Sequence, residues 1–71
     1  MNQKESIKGL ENMCFLERLD LSFNKIHILT NLSGLISLKY LDLSYNKLEK
    51  LNELKDLSKL TELYLQSNLI K

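Results

Sequence analysis

Cysteine, histidine and glycine are scarce in this sequence of 71 residues, neither charge predominates, and no long apolar run occurs. The one cysteine, Cys14, cannot close a disulfide within the chain, whereas repeat domains outside the cell usually carry disulfide-stapled ends. Ten basic against nine acidic side chains leave a net charge of +1, interspersed along the chain. A nucleic-acid-binding face needs a concentrated basic patch and a membrane-surface anchor a polybasic cluster, so neither nucleic acid nor membrane is an expected partner. No stretch approaches the ~20 apolar residues of a transmembrane helix. The start, Met1-Asn2-Gln3-Lys4-Glu5-Ser6, is polar and lacks the apolar run of a signal peptide. The expected location is therefore intracellular, in the reducing cytoplasm. Asn31-Leu32-Ser33 fits the N-glycosylation acceptor pattern, but that use requires secretion.

What the chain has in abundance is leucine at fixed spacing. The pattern Leu-x-x-Leu-x-Leu-x-x-Asn occurs three times: at Leu16, Leu19, Leu21 and Asn24; at Leu38, Leu41, Leu43 and Asn46; and at Leu60, Leu63, Leu65 and Asn68. Each copy starts 22 residues after the one before. A constant step of this length is the mark of a solenoid, in which each repeat buries its apolar side only by stacking on its neighbours.

Two hydrophobic periods alternate within the repeat. Arg18-Leu19-Asp20-Leu21-Ser22, Tyr40-Leu41-Asp42-Leu43-Ser44 and Glu62-Leu63-Tyr64-Leu65-Gln66 alternate polar and apolar, which predicts strands with one buried face. Copies that follow at one constant step should lie side by side and parallel. Between strands, Ile26, Leu29, Leu32, Leu35 and Leu38, and then Leu48, Leu51, Leu54, Leu57 and Leu60, recur every third residue. An α-helical stripe would mix steps of three and four. A strict three suits 3₁₀ turns, in which residues i and i+3 eclipse. Asn24, Asn46 and Asn68 close each copy where the strand ends. An Asn there offers two donors and one acceptor to peptide groups leaving the sheet, so the three are expected to form a structural ladder.

The full pattern, as it runs from Leu38 to Leu57, resembles the 22-residue-repeat subclass of the leucine-rich-repeat family. That subclass includes the regulatory subunit of protein phosphatase 1, the leucine-rich light chain of axonemal dynein and the spliceosomal U2 ribonucleoprotein A-prime. Bacterial internalins carry a similar repeat, and Leu29-Thr30-Asn31-Leu32-Ser33-Gly34-Leu35 is similar to theirs. The resemblance implies an α/β solenoid wound as a right-handed superhelix. A short parallel sheet would line its concave face, and 3₁₀ or irregular turns its convex face. Through its members the resemblance also adds the nucleus and the axoneme as alternative locations, and phosphatase regulation, the cilium and a spliceosomal ribonucleoprotein partner as settings.

Residues 1–71 are expected to make one segment of three strands and about two and a half repeats. Ile7, Leu10 and Met13 stand in phase with Leu29, Leu32 and Leu35, but Lys4 breaks the pattern, and Ile70 is its last residue before Lys71. No recognisable cap is visible at either end. Repeats without polar caps expose core leucines and strand edges, so self-association through the ends is expected.

Candidate chemistry is thin. His27 shares its phase with Glu49 and Lys71, which describes a solvated loop position, and no second histidine or cysteine accompanies it. Cys14 is in phase with Ile36 and Ser58, as a half-buried filler would be. Gly9 and Gly34 are isolated and form no phosphate-binding loop. No triad, metal-ligand set or cofactor motif is present, so neither enzymatic activity nor a cofactor nor a metal is expected. The expected function is protein–protein interaction, with a partner protein held on the concave face. By phase its exposed residues are Arg18, Asp20 and Ser22; Tyr40, Asp42 and Ser44; and Glu62, Tyr64 and Gln66. Tyr40 and Tyr64 are the anchors, since Tyr supplies contact area at small entropic cost. Phe23 and Tyr45, at the strand ends, are expected to pack against the ascending loops. Asp20 and Asp42, in phase at about 4.8 Å, repel weakly and could receive a cationic side chain, although Arg18 already offsets part of their charge. The alternative is a structural segment of a longer solenoid or assembly, with no binding site of its own.

Overall fold

Each of the three leucine–asparagine copies opens with a short strand: β1 at Arg18–Asp20, β2 at Tyr40–Asp42 and β3 at Glu62–Tyr64. The computed structural model describes residues 13–30, 32, 34–51 and 54–70. Expectations that fall on Lys4, Ile7, Gly9, Leu10, Asn31, Ser33 and Lys71 lie outside the described residues.

The strands pair in the order β1-β2-β3, all parallel. Register follows the sequence period: Leu19 faces Leu41 and Leu41 faces Leu63, one repeat apart each time. Backbone pairing also repeats at that step outside the strands. The Leu21 N–H donates to the Asp42 carbonyl at 2.8 Å, and the Leu43 N–H to the Tyr64 carbonyl at 2.9 Å. Farther on, the Lys47 N–H reaches the Ile26 carbonyl and the Leu69 N–H the Leu48 carbonyl, both at 2.8 Å.

The described residues contain no α-helix; the one regular helical element is a 3₁₀ turn at Leu54–Asp56. The period of three has a direct cause. Leu35 donates to the Leu32 carbonyl and Leu38 to that of Leu35, and Leu54, Leu57 and Leu60 do the same one repeat later. Each such turn returns its third residue to the same side, so leucine at every third position keeps one apolar edge aimed inward. Those edges meet the strand leucines in one core made of Leu21, Ile26, Leu29, Leu32, Leu35, Leu38, Leu41, Leu43, Leu48 and Leu57.

The strands are shorter than the five-residue alternation suggests, because the backbone turns sharply after them. Phe23, Tyr45 and Ser67, one per repeat, all have φ near +60° (58°, 58° and 60°). Each is a left-handed conformation that costs a non-glycine residue roughly 1–2 kcal/mol. The asparagine that follows offsets that cost. Asn46 Nδ2 donates to the carbonyls of Leu43 (3.0 Å) and Ser44 (3.2 Å) in its own repeat and of Leu21 (2.9 Å) in the previous one. Its Oδ1 accepts the Ile26 N–H at 3.0 Å. Asn68 repeats the set one step on, with the carbonyls of Leu43, Leu65 and Gln66 and the Leu48 N–H. Asn24 holds the carbonyls of Leu21 and Ser22.

Burial falls from the centre outward. Leu41 in β2 is 0% exposed, while Leu63, its counterpart in β3, is 38% exposed. A repeat flanked on both sides hides its leucine, whereas an edge strand hides it only in part. Leu41→Ala should therefore cost roughly 2–5 kcal/mol. Leu63→Ala should cost less than half as much. Urea or thermal denaturation of the two variants checks the order, and equal losses would contradict the placement of β2 at the centre.

Candidate functional site

Strand alternation puts Arg18, Asp20, Tyr40, Asp42, Glu62 and Tyr64 on the face opposite the leucines. Register aligns Arg18 with Tyr40 and Glu62, and Asp20 with Asp42 and Tyr64. A chain of side-chain contacts crosses the three strands. The Arg18 guanidinium carbon lies 4.0 Å from the Tyr40 ring centroid, a cation–π contact. Tyr40 and Tyr64, diagonal neighbours, set their rings 5.4 Å apart at a tilt of 51°. The Tyr64 hydroxyl then donates to Glu62 Oε1 at 3.1 Å. That hydrogen bond, and next the negative charge of Glu62, raises the Tyr64 phenol above its ordinary 10.0.

The aspartates and serines form turns, which the sequence did not announce. Asp20 Oδ1 accepts both the N–H (2.9 Å) and the hydroxyl (2.6 Å) of Ser22. Asp42 Oδ1 accepts the same pair from Ser44, at 2.9 and 2.6 Å. One carboxylate oxygen of each is thus committed to its own backbone. Ser44 stands among the expected surface residues, yet it is 3% exposed. The Phe23 N–H pairs with its carbonyl on one side and the Tyr45 N–H with the Gln66 carbonyl on the other, so neighbouring repeats enclose it. Ser22 is half-buried, and Gln66, beyond β3, is exposed.

Phe23 and Tyr45, expected to pack against the ascending loops, also meet each other. They stack on each other, with centroids 4.4 Å apart and planes within 6° of parallel, and stay 48% and 45% exposed. Positive φ recurs at the same phase in each repeat, and this brings the two rings into line. Two in-phase aromatics just before an asparagine are the one sequence signal that could have pointed to this pair.

Other candidates stay apart from this face. His27 is exposed in the loop after Asn24, beside a groove that Ile28, Leu29, Glu49 and Lys50 also line. Cys14 is a free, half-buried thiol. Among the described residues no three His, Cys, Asp or Glu side chains converge as metal ligands would. Glu17 and Lys39 form an exposed ion pair at 3.7 Å, of a kind worth little.

A family model described as leucine rich repeat matches residues 16–70. Nothing among curated proteins or solved structures matches the chain.

Electrostatics at the first strand lead to a measurable titration. The Ser22 hydroxyl first, then its N–H, and after these the Arg18 charge, hold Asp20 below the ordinary 3.8. A depressed carboxylate stabilises the fold above its unfolded value and loses that contribution as pH falls through the lower folded value. The NMR midpoint of the Asp20 carboxyl should therefore lie below 3.8, and Ser22→Ala should move it upward. An unmoved midpoint in the variant would remove the serine as the cause.

Proposed function

We propose a function from one premise: this chain belongs to the leucine-rich-repeat family. Domains of that family generally mediate protein–protein interaction, and their repeats are typically non-catalytic. In our reading this chain is a non-catalytic interaction module. It is a segment of a right-handed, 22-residue-repeat solenoid that works inside the cell and holds a partner protein on the concave face of its sheet.

One observation carries this reading: the Arg18–Tyr40–Tyr64–Glu62 chain of contacts across all three strands. Aromatic rings held by neighbours lose little freedom on binding, so their contact area is converted into affinity with small entropic loss. The surrounding charge favours a basic partner group. Arg18 is the one cation on the strands' polar face, against Asp20, Asp42 and Glu62. Each aspartate also keeps one oxygen outside its turn, since the serine contacts use Oδ1 alone.

Area limits what the strip can do. Three strands about 4.8 Å apart offer a few hundred Å² at most, below the ~800 Å² per partner of a standard interface. A tight partner must also touch the strand-exit loops. Tyr40→Ala and Tyr64→Ala should each weaken binding of a partner by more than roughly 1 kcal/mol in calorimetry, with the thermal melt nearly unchanged. Lys55→Ala and Lys59→Ala, on the side away from the sheet, should leave affinity as it is. The reverse outcome would move the interface off the sheet.

The exposed apolar residues of the third repeat favour a second reading. Leu63, Leu69 and Ile70 are all uncovered among the described residues, as befits a segment on which a further repeat or another copy stacks. Sedimentation of the 71-residue chain at micromolar concentration should then show reversible self-association. A monomer at every concentration would count against it.

A further inference from the structure

A net charge of +1 conceals two regions of opposite sign. On the polar face of the strands one cation, Arg18, meets three acids, Asp20, Asp42 and Glu62. The loops that leave the sheet reverse that balance. Among their described residues, 25–30, 47–51 and 69–70, Lys25, Lys47 and Lys50 stand against Glu49 alone, and all four are exposed.

Repeat stacking decides how the first two of these loops present their side chains. The Lys47 N–H reaches the Ile26 carbonyl at 2.8 Å, so the loops run next to each other at the 22-residue step. Ile26, Leu29 and Leu48 are buried, which leaves Lys25, His27 and Ile28, and then Lys47, Glu49 and Lys50, on the outside. By phase His27 stands beside Glu49 and Ile28 beside Lys50. Here the structure holds a groove of about 510 Å³, lined by His27, Ile28, Leu29, Glu49 and Lys50. That volume lies within the range of pockets that hold small ligands or a few side chains. Its walls combine an isoleucine, 52% exposed, with a lysine ammonium.

These walls narrow the choice of occupant. A cationic group would meet Lys50 at the wall, with Lys25 and Lys47 in the same loops. A wholly apolar group would cover the Lys50 ammonium and give it no partner, which is costly. A carboxylate next to an apolar side chain suits both walls together.

We propose that this groove docks an acidic segment of a partner protein, with an apolar side chain against Ile28 and a neighbouring carboxylate on the Lys50 ammonium. The inference rests on the reading of the chain as a protein-interaction module. It supplies the contact with the strand-exit loops that a strip of a few hundred Å² requires of a tight partner. A partner matched to both regions presents a basic group to the strands and an acidic one to the loops, and this opposition fixes its orientation.

The test titrates the blocked tripeptide acetyl-Glu-Leu-Glu-amide into the full 71-residue chain and follows it by NMR. Saturable shifts centred on Ile28 and Lys50 are expected. The same peptide with lysine for both glutamates should not saturate, and the one with serine for leucine should bind more weakly. Lys50→Glu should weaken the acidic peptide by about fivefold or more, and Lys50→Arg should keep it. Unchanged Leu41 and Leu43 signals in both variants separate lost binding from lost fold. Tyr40→Ala with Tyr64→Ala should leave the peptide shifts intact. Shifts that never saturate, that persist in Lys50→Glu, or that the lysine peptide reproduces overturn the groove. If they do so while the tyrosine variants still lose partner affinity, the groove falls and the sheet-face reading stands. If the groove binds as expected while the tyrosine variants keep partner affinity, the sheet-face reading falls and the groove stands.

Discussion

Three-residue strands leave the peptide groups where the chain exits the sheet short of partners, and the side chain of one asparagine per repeat satisfies several of them. Asn46 spans two repeats at once, donating to carbonyls of its own turn and of the previous repeat while accepting the Ile26 N–H. An unpaired buried peptide group costs roughly 1–3 kcal/mol. Several would consume the whole stability of so small a domain. Among the described residues no buried side-chain polar atom lacks a partner. The left-handed residue before each asparagine, the three-residue turns behind the sheet and the polar face in front are all compatible with that side chain holding adjacent repeats in register.

The parts of the face that results are tied at the 22-residue step rather than by long strands. Arg18 rests on Tyr40, Tyr40 leans toward Tyr64, and Tyr64 is tethered to Glu62. Beside it, Phe23 and Tyr45 repeat the same logic one turn later, where the backbone leaves the sheet. Function in this architecture is the choice of what to place on a surface whose geometry the leucines and asparagines have already set.

The leucine positions made the parallel register and the three-residue period behind the sheet legible in the sequence. Leucine is a strong apolar signal, and its two periods map onto two backbone geometries. The left-handed residues were not legible: Phe, Tyr and Ser seldom adopt positive φ, and Asn, which tolerates it, stands one place later in an ordinary conformation. Nor was the burial of Ser44 legible. Alternation assigns a face, but whether that face is covered depends on how closely the flanking repeats enclose it. The aspartates looked like free charges because their serine partners lie two residues along in an alternating stretch, and the contact forms only once the chain bends after the strand.

Native-state hydrogen exchange of the Ile26 and Leu48 amides tests the role of the asparagines most directly, since their hydrogen bonds go to Asn46 and Asn68 side chains and to no backbone carbonyl. If those side chains bind the repeats together, both amides will be protected and Ile26 will open with the same free energy as the Leu21 and Leu43 amides, which continue the strand pairing. Exchange of Ile26 at the rate of an open loop, with the strand amides still protected, would show that the sheet stands without the asparagines.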